Sequence, residues 1–144
     1  MKGNKSVLVK IPVSVGELVD KITILEIKKN KITEFEKLKK INFELKLLQK
    51  ELAKITAKNR SIKKEFIHLS AKLASVNLKL WNIEDKIRKL EAEKKFGKDF
   101  IELARSVYIN NDRRSEIKNK INRLFGSQIT EVKQYSKYKP SRNK

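Results

Sequence analysis

Between residues 61 and 96 the apolar side chains recur at alternating steps of four and three, and this pattern constrains the fold more than any other feature. The members of this first track are Ile62, Phe66, Leu69, Leu73, Val76, Leu80, Ile83, Ile87 and Leu90. A heptad pattern places its apolar residues on one side of a helix, where they pack against a neighbouring helix. It therefore predicts a helix over residues 61–96, about 54 Å long at a rise of about 1.5 Å per residue.

A second apolar track runs beside the first and consists of Ile67, Ala71, Ala74, Leu78 and Trp81. A helix with one buried side needs only one track, so this helix is predicted to be central, with neighbours on two sides. Asp85 and Arg88 continue the second track. The track thus predicts a buried face that changes from apolar to charged, which is the strongest indication of a functional site.

Length and composition favour one helical domain over residues 1–135, followed by a disordered basic tail over residues 136–144. The chain has 144 residues, of which 39% are hydrophobic, enough for one modest core. It has no cysteine, which excludes disulfides and thiol chemistry. The apolar run at residues 7–13 contains Lys10 and is followed by no cleavage site, so we expect no signal peptide, no membrane span and a cytoplasmic location.

The formal net charge of +19 directs attention to nucleic acids, acidic membranes and anionic ligands as partners. The cations are 29 lysines and seven arginines, whereas recognition of phosphates and bases favours the arginine fork. Two interpretations therefore stay open. The lysines are a solvated surface, or the second helix and the basic tail contact the phosphates of a nucleic acid.

Capping signals divide the rest of the chain into three more helices. Ser14 with Glu17 and Thr33 with Glu36 have the capping-box spacing that starts a helix. Ser61 is a cap for the central helix, and Gly97 and Gly126 are stop signals. The predicted helices cover about residues 15–30, 34–57, 61–96 and 98–125. Their short connections favour an all-α fold, an antiparallel four-helix bundle or long helical hairpin.

The two ends of the chain are predicted to form short strands. Residues 6–13 are rich in β-branched side chains, and residues 128–135 alternate between apolar and polar. In a bundle of four antiparallel helices the two chain ends meet, and a single strand is not stable alone. We therefore expect the N-terminal strand to pair with the C-terminal one.

Counting outward from the predicted turns brings several charged, amide and aromatic residues to one level of the bundle. Glu26 lies on an apolar face of the first helix, so it should need a partner. Asn111, Arg114 and Lys118 interrupt the apolar face of the last helix. The candidate ligand-binding residues are Glu26, Trp81, Asp85, Arg88, Arg105, Tyr108, Asn111 and Arg114.

This layer has two interpretations. Its charges can be ion pairs that fix the register of helices that otherwise slide along one another. Alternatively, the arginines bind the carboxylate or phosphate of a small molecule, while Tyr108 and Asn111 orient it.

Other chemistries fit the sequence less well. Glu17 and Asp20 have the spacing of helical divalent-metal pyrophosphohydrolases, but no matching acidic pair faces them, so we expect no metal site and no cofactor. His68 lies off both tracks and is expected at the surface. No nucleophile with an adjacent base is visible. Catalysis stays open only by analogy with small helical mutases, which rearrange dicarboxylates with cationic clamps.

A resemblance to a known family is carried by four segments: IPVSVGELVDKITILEIK at residues 11–28, LWNIEDKIR at 80–88, ARSVY at 104–108 and NDR at 111–113. They resemble a family of small, uncharacterised helical proteins of bacteria and phages. The likeness covers most of the chain except the second helix and the tail. It implies no assigned activity and a setting near genes of surface-polysaccharide metabolism. Relatives carry Asp-Pro where this chain has Glu34 and Phe35.

The sequence therefore predicts a small helical module that binds an anionic ligand or a protein partner. The alternatives are a structural or nucleic-acid-associated basic protein and a small helical enzyme of the mutase type. Homodimerisation stays open.

Overall fold

A computed structural model describes residues 6–138 of the chain and contains four α-helices in that range. They are α1 (Val15–Lys31), α2 (Phe35–Lys58), α3 (Lys63–Ala92) and α4 (Lys98–Phe125), with one turn of 3-10 helix at Arg60–Ile62 before α3. The predicted all-helical class and the number of helices are confirmed. No helix within residues 6–138 combines the length and the apolar character that a bilayer span requires.

Helix α1 contacts each of the other three helices and is the central element of the fold. Helices α3 and α4 form a hairpin with an extensive interface, α1 packs against both of them, and α2 makes its main interface with α1. The prediction that residues 61–96 form the central helix is therefore wrong. Four residues of the heptad track are buried, Leu69, Leu73, Leu80 and Ile83, and the other five are partly covered. Helices α1 and α4 pack on this side of α3, while α2 packs mainly on α1.

Two apolar clusters lie on neighbouring faces of α1, and Leu52 of α2 packs against both of them. Toward α2, the buried residues are Leu18, Ile22, Leu25, Ile41 and Leu45. Toward α3 and α4, they are Val19, Leu69, Leu73 and Ile121. The apolar side of α1 is thus shared between α2 on one edge and the α3–α4 hairpin on the other.

The second apolar track of α3 is largely exposed to solvent. Ile67 is 57% exposed and Leu78 is 41% exposed, and only Ala74 and Trp81 of this track are partly covered. The prediction of a second buried side is wrong because α2 packs on α1 rather than on this side of α3. His68 is exposed, as predicted.

Two of the five predicted helix signals, Ser14 and Gly126, act as predicted. The Ser14 hydroxyl accepts a hydrogen bond from the Glu17 amide at 3.1 Å and caps α1. Gly126 ends α4 in the left-handed conformation, with a φ of 64°. Gly97 does separate the last two helices, but it precedes α4 as its N-cap and has extended backbone.

The Thr33 and Ser61 caps are wrong. Helix α2 follows Glu34 and α3 follows Ile62, and neither residue makes a side-chain capping bond. Helix α3 also ends earlier than predicted, at Ala92. Lys94 adopts the left-handed conformation with a φ of 55°, and this turn ends the helix before Gly97.

The predicted terminal strands are absent from residues 6–138. The segment after α4 runs back along that helix, where the Asn119 side chain bonds both the amide and the carbonyl of Glu131. Among residues 6–138, no backbone hydrogen bond joins the segment before α1 to the segment after α4, so the two segments do not pair. Residues 136–138 begin the predicted tail, and residues 1–5 and 139–144 lie outside the described part of the chain.

Candidate functional site

A close approach of α1 and α4 at Gly16 creates the polar interior of the protein. The Gly16 amide donates a hydrogen bond to Asn122 Oδ1 at 2.6 Å. A Cβ at this position would lie 2.7 Å from Asn122 Oδ1 and closer still to the carbonyl oxygen of Lys118. Only glycine fits without a shift of the helices. This contact brings the next turn of α1, which carries Asp20, against α4.

Asp20 is the buried carboxylate at the junction of α1, α3 and α4, with 1% of its surface exposed. Its Oδ1 accepts hydrogen bonds from Arg114 Nε at 2.8 Å and from Asn77 Nδ2 at 2.9 Å. Its Oδ2 accepts a bond from Arg114 Nη2. Asn77 also donates to the Thr23 hydroxyl at 2.8 Å, and that hydroxyl donates to the Asp20 carbonyl. Three helices are thus joined through one carboxylate.

Lys118 adds a second cation to this group. Its Nζ lies 2.7 Å from Glu17, 3.0 Å from Glu131 and 4.0 Å from Asp20. We call Asp20, Thr23, Asn77, Arg114 and Lys118 the buried polar cluster. Through Glu131, this cluster also holds the segment that follows α4.

The charges of the cluster stabilise one another. Burial alone would raise the pKa of Asp20, but the hydrogen bonds from Arg114 and Asn77 and the charges of Arg114 and Lys118 outweigh it, so the pKa is lowered. Burial would lower the pKa of Lys118, but hydrogen bonds to Glu17 and Glu131 outweigh it and the pKa is raised. The hydrogen bond to Asp20 raises the pKa of Arg114. All three groups therefore stay charged at neutral pH.

The buried polar cluster forms one wall of a cleft of about 480 Å³, which we call the Trp81 cleft. Its lining residues are Ile24, Ile27, Asn77, Leu80, Trp81, Glu84, Asp85, Arg88, Asn111 and Arg114. Arg114 and Asn77 reach the cleft from the buried polar cluster. The apolar side chains come from α1 and α3. The cleft therefore presents guanidinium, indole, amide and carboxylate groups to one volume.

Five of the eight predicted site residues meet in the Trp81 cleft. They are Trp81, Asp85, Arg88, Asn111 and Arg114. The predicted burial of Asp85 and Arg88 is wrong, because their side chains are 59% and 80% exposed. Both pair with neighbours on α3, Asp85 with Lys89 at 3.0 Å and Arg88 with Glu84 at 3.6 Å. No helix covers this side of α3, so they form a rim rather than a buried layer.

The other three predicted residues lie elsewhere. Glu26 is exposed on α1, so its predicted burial is wrong. Asp20, six residues earlier, is the acid of α1 that faces α3 and α4. Arg105 is exposed and pairs with Glu102 at 3.5 Å, and a hydrogen bond with Tyr108 raises the pKa of Arg105. Tyr108 packs edge to face against Tyr138, with ring centroids 5.1 Å apart.

Tyr108 belongs to a second cleft of about 500 Å³, the tyrosine cleft, between α4 and the segment that follows it. Its lining residues are Val107, Tyr108, Asn111, Asp112, Lys133, Tyr135, Ser136 and Tyr138. The Tyr138 hydroxyl donates to Asp112 at 2.6 Å. Asn111 lines both clefts, so the two clefts adjoin at this residue.

Sequence reasoning missed the centre of the site. Asn77 lies four residues after Leu73 and three before Leu80, and this spacing places it on the buried side of α3 in place of the predicted Val76. A polar residue at this spacing between two leucines of the buried track is the signal that indicates a buried polar contact. Lys118 interrupts the apolar face of the last helix, but the sequence pattern does not show which acidic side chains it pairs with. Neither Glu17 nor Asp20 is among the predicted ligand-binding residues.

The Glu17 and Asp20 carboxylates are both paired with cations in the folded chain. Within residues 6–138, no three His, Asp or Glu side chains lie together in a way that could hold a metal ion.

The fold and the site define a small all-helical protein with a buried charged cluster beside an open cleft. A family model described as a family of unknown function (DUF6165) matches residues 9–143, so the chain belongs to that family. The resemblance to an uncharacterised family is thereby confirmed. No curated protein and no solved structure matches the chain.

Proposed function

We propose that the protein is a binding module and that its Trp81 cleft takes a small anionic molecule. The observation that carries this proposal is the meeting of Arg88, Arg114, Asn77, Asn111 and Trp81 around one volume of about 480 Å³. Clefts of this size with a few convergent polar groups on apolar walls are typical ligand sites.

Arg114 supports the proposal because its position is fixed before any ligand arrives. Asp20 holds its Nε and Nη2 atoms, and the side chain is only 28% exposed. The remaining nitrogen, Nη1, lies 3.5 Å from Asn111 Oδ1, at the limit of a hydrogen bond. That nitrogen keeps donor capacity for a carboxylate or phosphate. A donor held in place loses little conformational entropy on binding.

Arg88 supplies a second and more mobile cation at the rim. Its contact with Glu84 is long, at 3.6 Å, and exposed, and such pairs contribute little. An anionic group can therefore replace Glu84 as its partner at small cost. Glu84 and Asp85 are then acceptors for hydroxyl groups on the same ligand. A hydroxylated anion, such as a sugar phosphate or a nucleotide, suits this combination.

The rest of the chain favours the same class of ligand. The net charge of +19 produces a positive potential that raises the local concentration of anions. Ile24, Ile27 and Leu80 supply an apolar surface beside Trp81 for the body of the ligand. The setting in surface-polysaccharide metabolism implied by the resemblance makes sugar phosphates the first candidates.

Trp81 gives a direct test because it is the only tryptophan in the chain. Its fluorescence should change on titration with a member of a panel of sugar phosphates, nucleotides and dicarboxylates, and the same compound should raise the melting temperature. Arg88→Gln should weaken binding by about 10-fold or more, the value of one charge-assisted hydrogen bond.

Arg123→Gln is the matched control, since Arg123 is an exposed arginine of α4 outside both clefts. It should leave the affinity unchanged. Equal losses in the two variants, or no response of Trp81 to the whole panel, would contradict the proposal.

A further inference from the structure

Every tryptophan and tyrosine of the chain lies in one of the two adjoining clefts. The sequence contains one tryptophan and three tyrosines. Trp81 lines the first cleft, and Tyr108, Tyr135 and Tyr138 line the second. Because Asn111 lines both clefts, these four rings follow one track from α3 across α4 to the segment after it.

The tyrosine rings are accessible to a ligand. Tyr135 is 76% exposed, while Tyr108 and Tyr138 are each nearly half exposed. The rings of Tyr108 and Tyr138 are nearly perpendicular, at 78°, so their edge-to-face contact leaves part of each ring surface uncovered. The bond from the Tyr138 hydroxyl to Asp112 fixes the ring in this position. Flat, exposed and fixed rings are platforms for stacking.

Cations accompany the rings along the track. Arg88 and Arg114 belong to the Trp81 cleft, and Lys133 belongs to the tyrosine cleft, where its Nζ lies 5.9 Å from the centre of the Tyr135 ring. Three acids also line the track, and they pair with Arg88, Lys89 and Tyr138: Glu84, Asp85 and Asp112. Lys133 also has an acidic neighbour, Glu131, at 3.8 Å. The pairs of Arg88 and Lys133 are long, so a phosphate can replace the acid beside each cation at small cost. Aromatic and cationic groups therefore lie side by side along the track.

We propose that this track binds single-stranded nucleic acid. Its bases stack on Trp81 and the tyrosine rings, and its phosphates contact Arg88, Arg114 and Lys133. Aromatic platforms beside a cationic groove are the physical basis of single-strand binding, because every base has a flat face and every nucleotide a phosphate. A duplex is disfavoured because its base faces are covered by stacking. This inference rests on the proposed function, since one nucleotide of the strand occupies the Trp81 cleft as its anionic ligand.

The test compares three probes with the full-length protein: thymidine monophosphate, a single-stranded oligothymidylate of about 12 nucleotides and the corresponding duplex. Binding is followed by fluorescence anisotropy of the labelled DNA and by quenching of Trp81. The single strand should bind more tightly than both other probes. Its affinity should fall with salt by a slope of about 0.7 for each phosphate contacted.

Substitutions of the tyrosines and of Lys133 distinguish base stacking from phosphate contacts. Tyr108→Leu and Tyr135→Leu should each lower the affinity by about 5-fold or more at an unchanged salt slope, the low end of one base–aromatic stack. Tyr135→Phe should keep the affinity. Lys133→Gln should reduce the slope by about 0.7. The controls Phe43→Leu and Lys40→Gln alter exposed residues of α2 and should change neither quantity.

Three results would overturn the inference. If the mononucleotide binds at Trp81 and the oligomer binds no tighter, the proposed function stands and the polymer track does not. If the oligomer binds but the α2 variants weaken it and the tyrosine variants do not, the contact is an electrostatic one on α2. If uncharged oligosaccharides quench Trp81 and the oligonucleotide does not, the track takes saccharides instead.

Discussion

The carboxylate of Asp20 accepts two hydrogen bonds from the guanidinium of Arg114, a residue 94 positions later in the chain. This pair joins the first and last helices inside the protein, and Asn77 connects it to α3. A buried ion pair adds little net stability, but leaving one partner alone is costly. The pair therefore acts mainly on specificity, because any other register of α1 against α4 separates the two charges.

Removing one member of the pair should cost more than removing both. We expect Asp20→Leu or Arg114→Met alone to lower the free energy of unfolding by about 3 to 5 kcal/mol, because each leaves a buried charge unpaired. The double variant should lose less than either single variant, and therefore less than their sum. Urea denaturation of the four proteins measures this coupling. Glu26→Gln, at an exposed acid of the same helix, is the control and should change little. Additive losses would mean that the two residues do not interact.

The stability of the protein should fall in acid through Asp20. Its pKa is lowered in the folded state, whereas an unfolded aspartate titrates near about 3.9. The unfolded chain therefore binds a proton first as the pH falls. The stabilisation is complete above about pH 5 and is lost as the pH falls through the folded pKa. Urea midpoints of wild type and Asp20→Asn should differ most near neutral pH and converge in acid. A constant difference down to about pH 2 would contradict this prediction.

The close contact of α1 and α4 depends on the missing side chain of Gly16. Gly16→Ala would place a methyl group 2.7 Å from Asn122 Oδ1 and should destabilise the protein by about 1 to 3 kcal/mol or more. Gly97→Ala is the control, because no atom lies within 4 Å of the added methyl group. It should cost less than about 1 kcal/mol, the typical difference between glycine and alanine at an N-cap. Thermal denaturation compares the two, and equal melting temperatures would show that the helices can separate freely at Gly16.

The two apolar tracks of α3 should respond differently to truncation. Leu73 is completely buried among residues of α1 and α4, so Leu73→Ala should cost about 2 to 5 kcal/mol. Leu78→Ala removes the same atoms from the partly exposed track and should cost less than about 1 kcal/mol. His68→Ala should also cost little. A large loss for Leu78→Ala would indicate that a further partner covers the second track in solution.

Tyrosine ionisation reports on the tyrosine cleft. The hydrogen bond to Asp112 raises the pKa of Tyr138 to about 12. Phenolate absorbance, read directly after rapid jumps to a series of alkaline pH values, should therefore contain a component with a midpoint near pH 12, which Tyr138→Phe removes. Asp112→Asn should lower the pKa of that component, since the negative charge beside the hydroxyl is gone. Persistence of the component with the high midpoint in Tyr138→Phe would exclude this assignment.

Several features of the fold were predictable because they depend on neighbours in the sequence. Ser14 and Gly126 act within one turn of the helices they cap, so the chain itself carries that information. The heptad spacing of α3 identified Leu69, Leu73 and Leu80 as buried, because periodicity states which residues share one side of a helix. Counting residues outward from the short turns places Trp81, Asn111 and Arg114 at one level of the bundle.

The periodicity of apolar residues does not show which neighbouring helix covers a given side of a helix. The wrong predictions of burial for Asp85, Arg88 and Glu26 follow from this. The sequence determined four helices, the buried track of α3 and the interruption of the last helix by Asn111 and Arg114. The tertiary structure decided that α2 packs on α1, which leaves Asp85 and Arg88 at an exposed rim. It also decided that Asp20 rather than Glu26 is the buried acid of α1. The physical reason for the burial of Asp20 is the close approach of α1 and α4 at Gly16, a contact between residues 106 positions apart that no local pattern encodes.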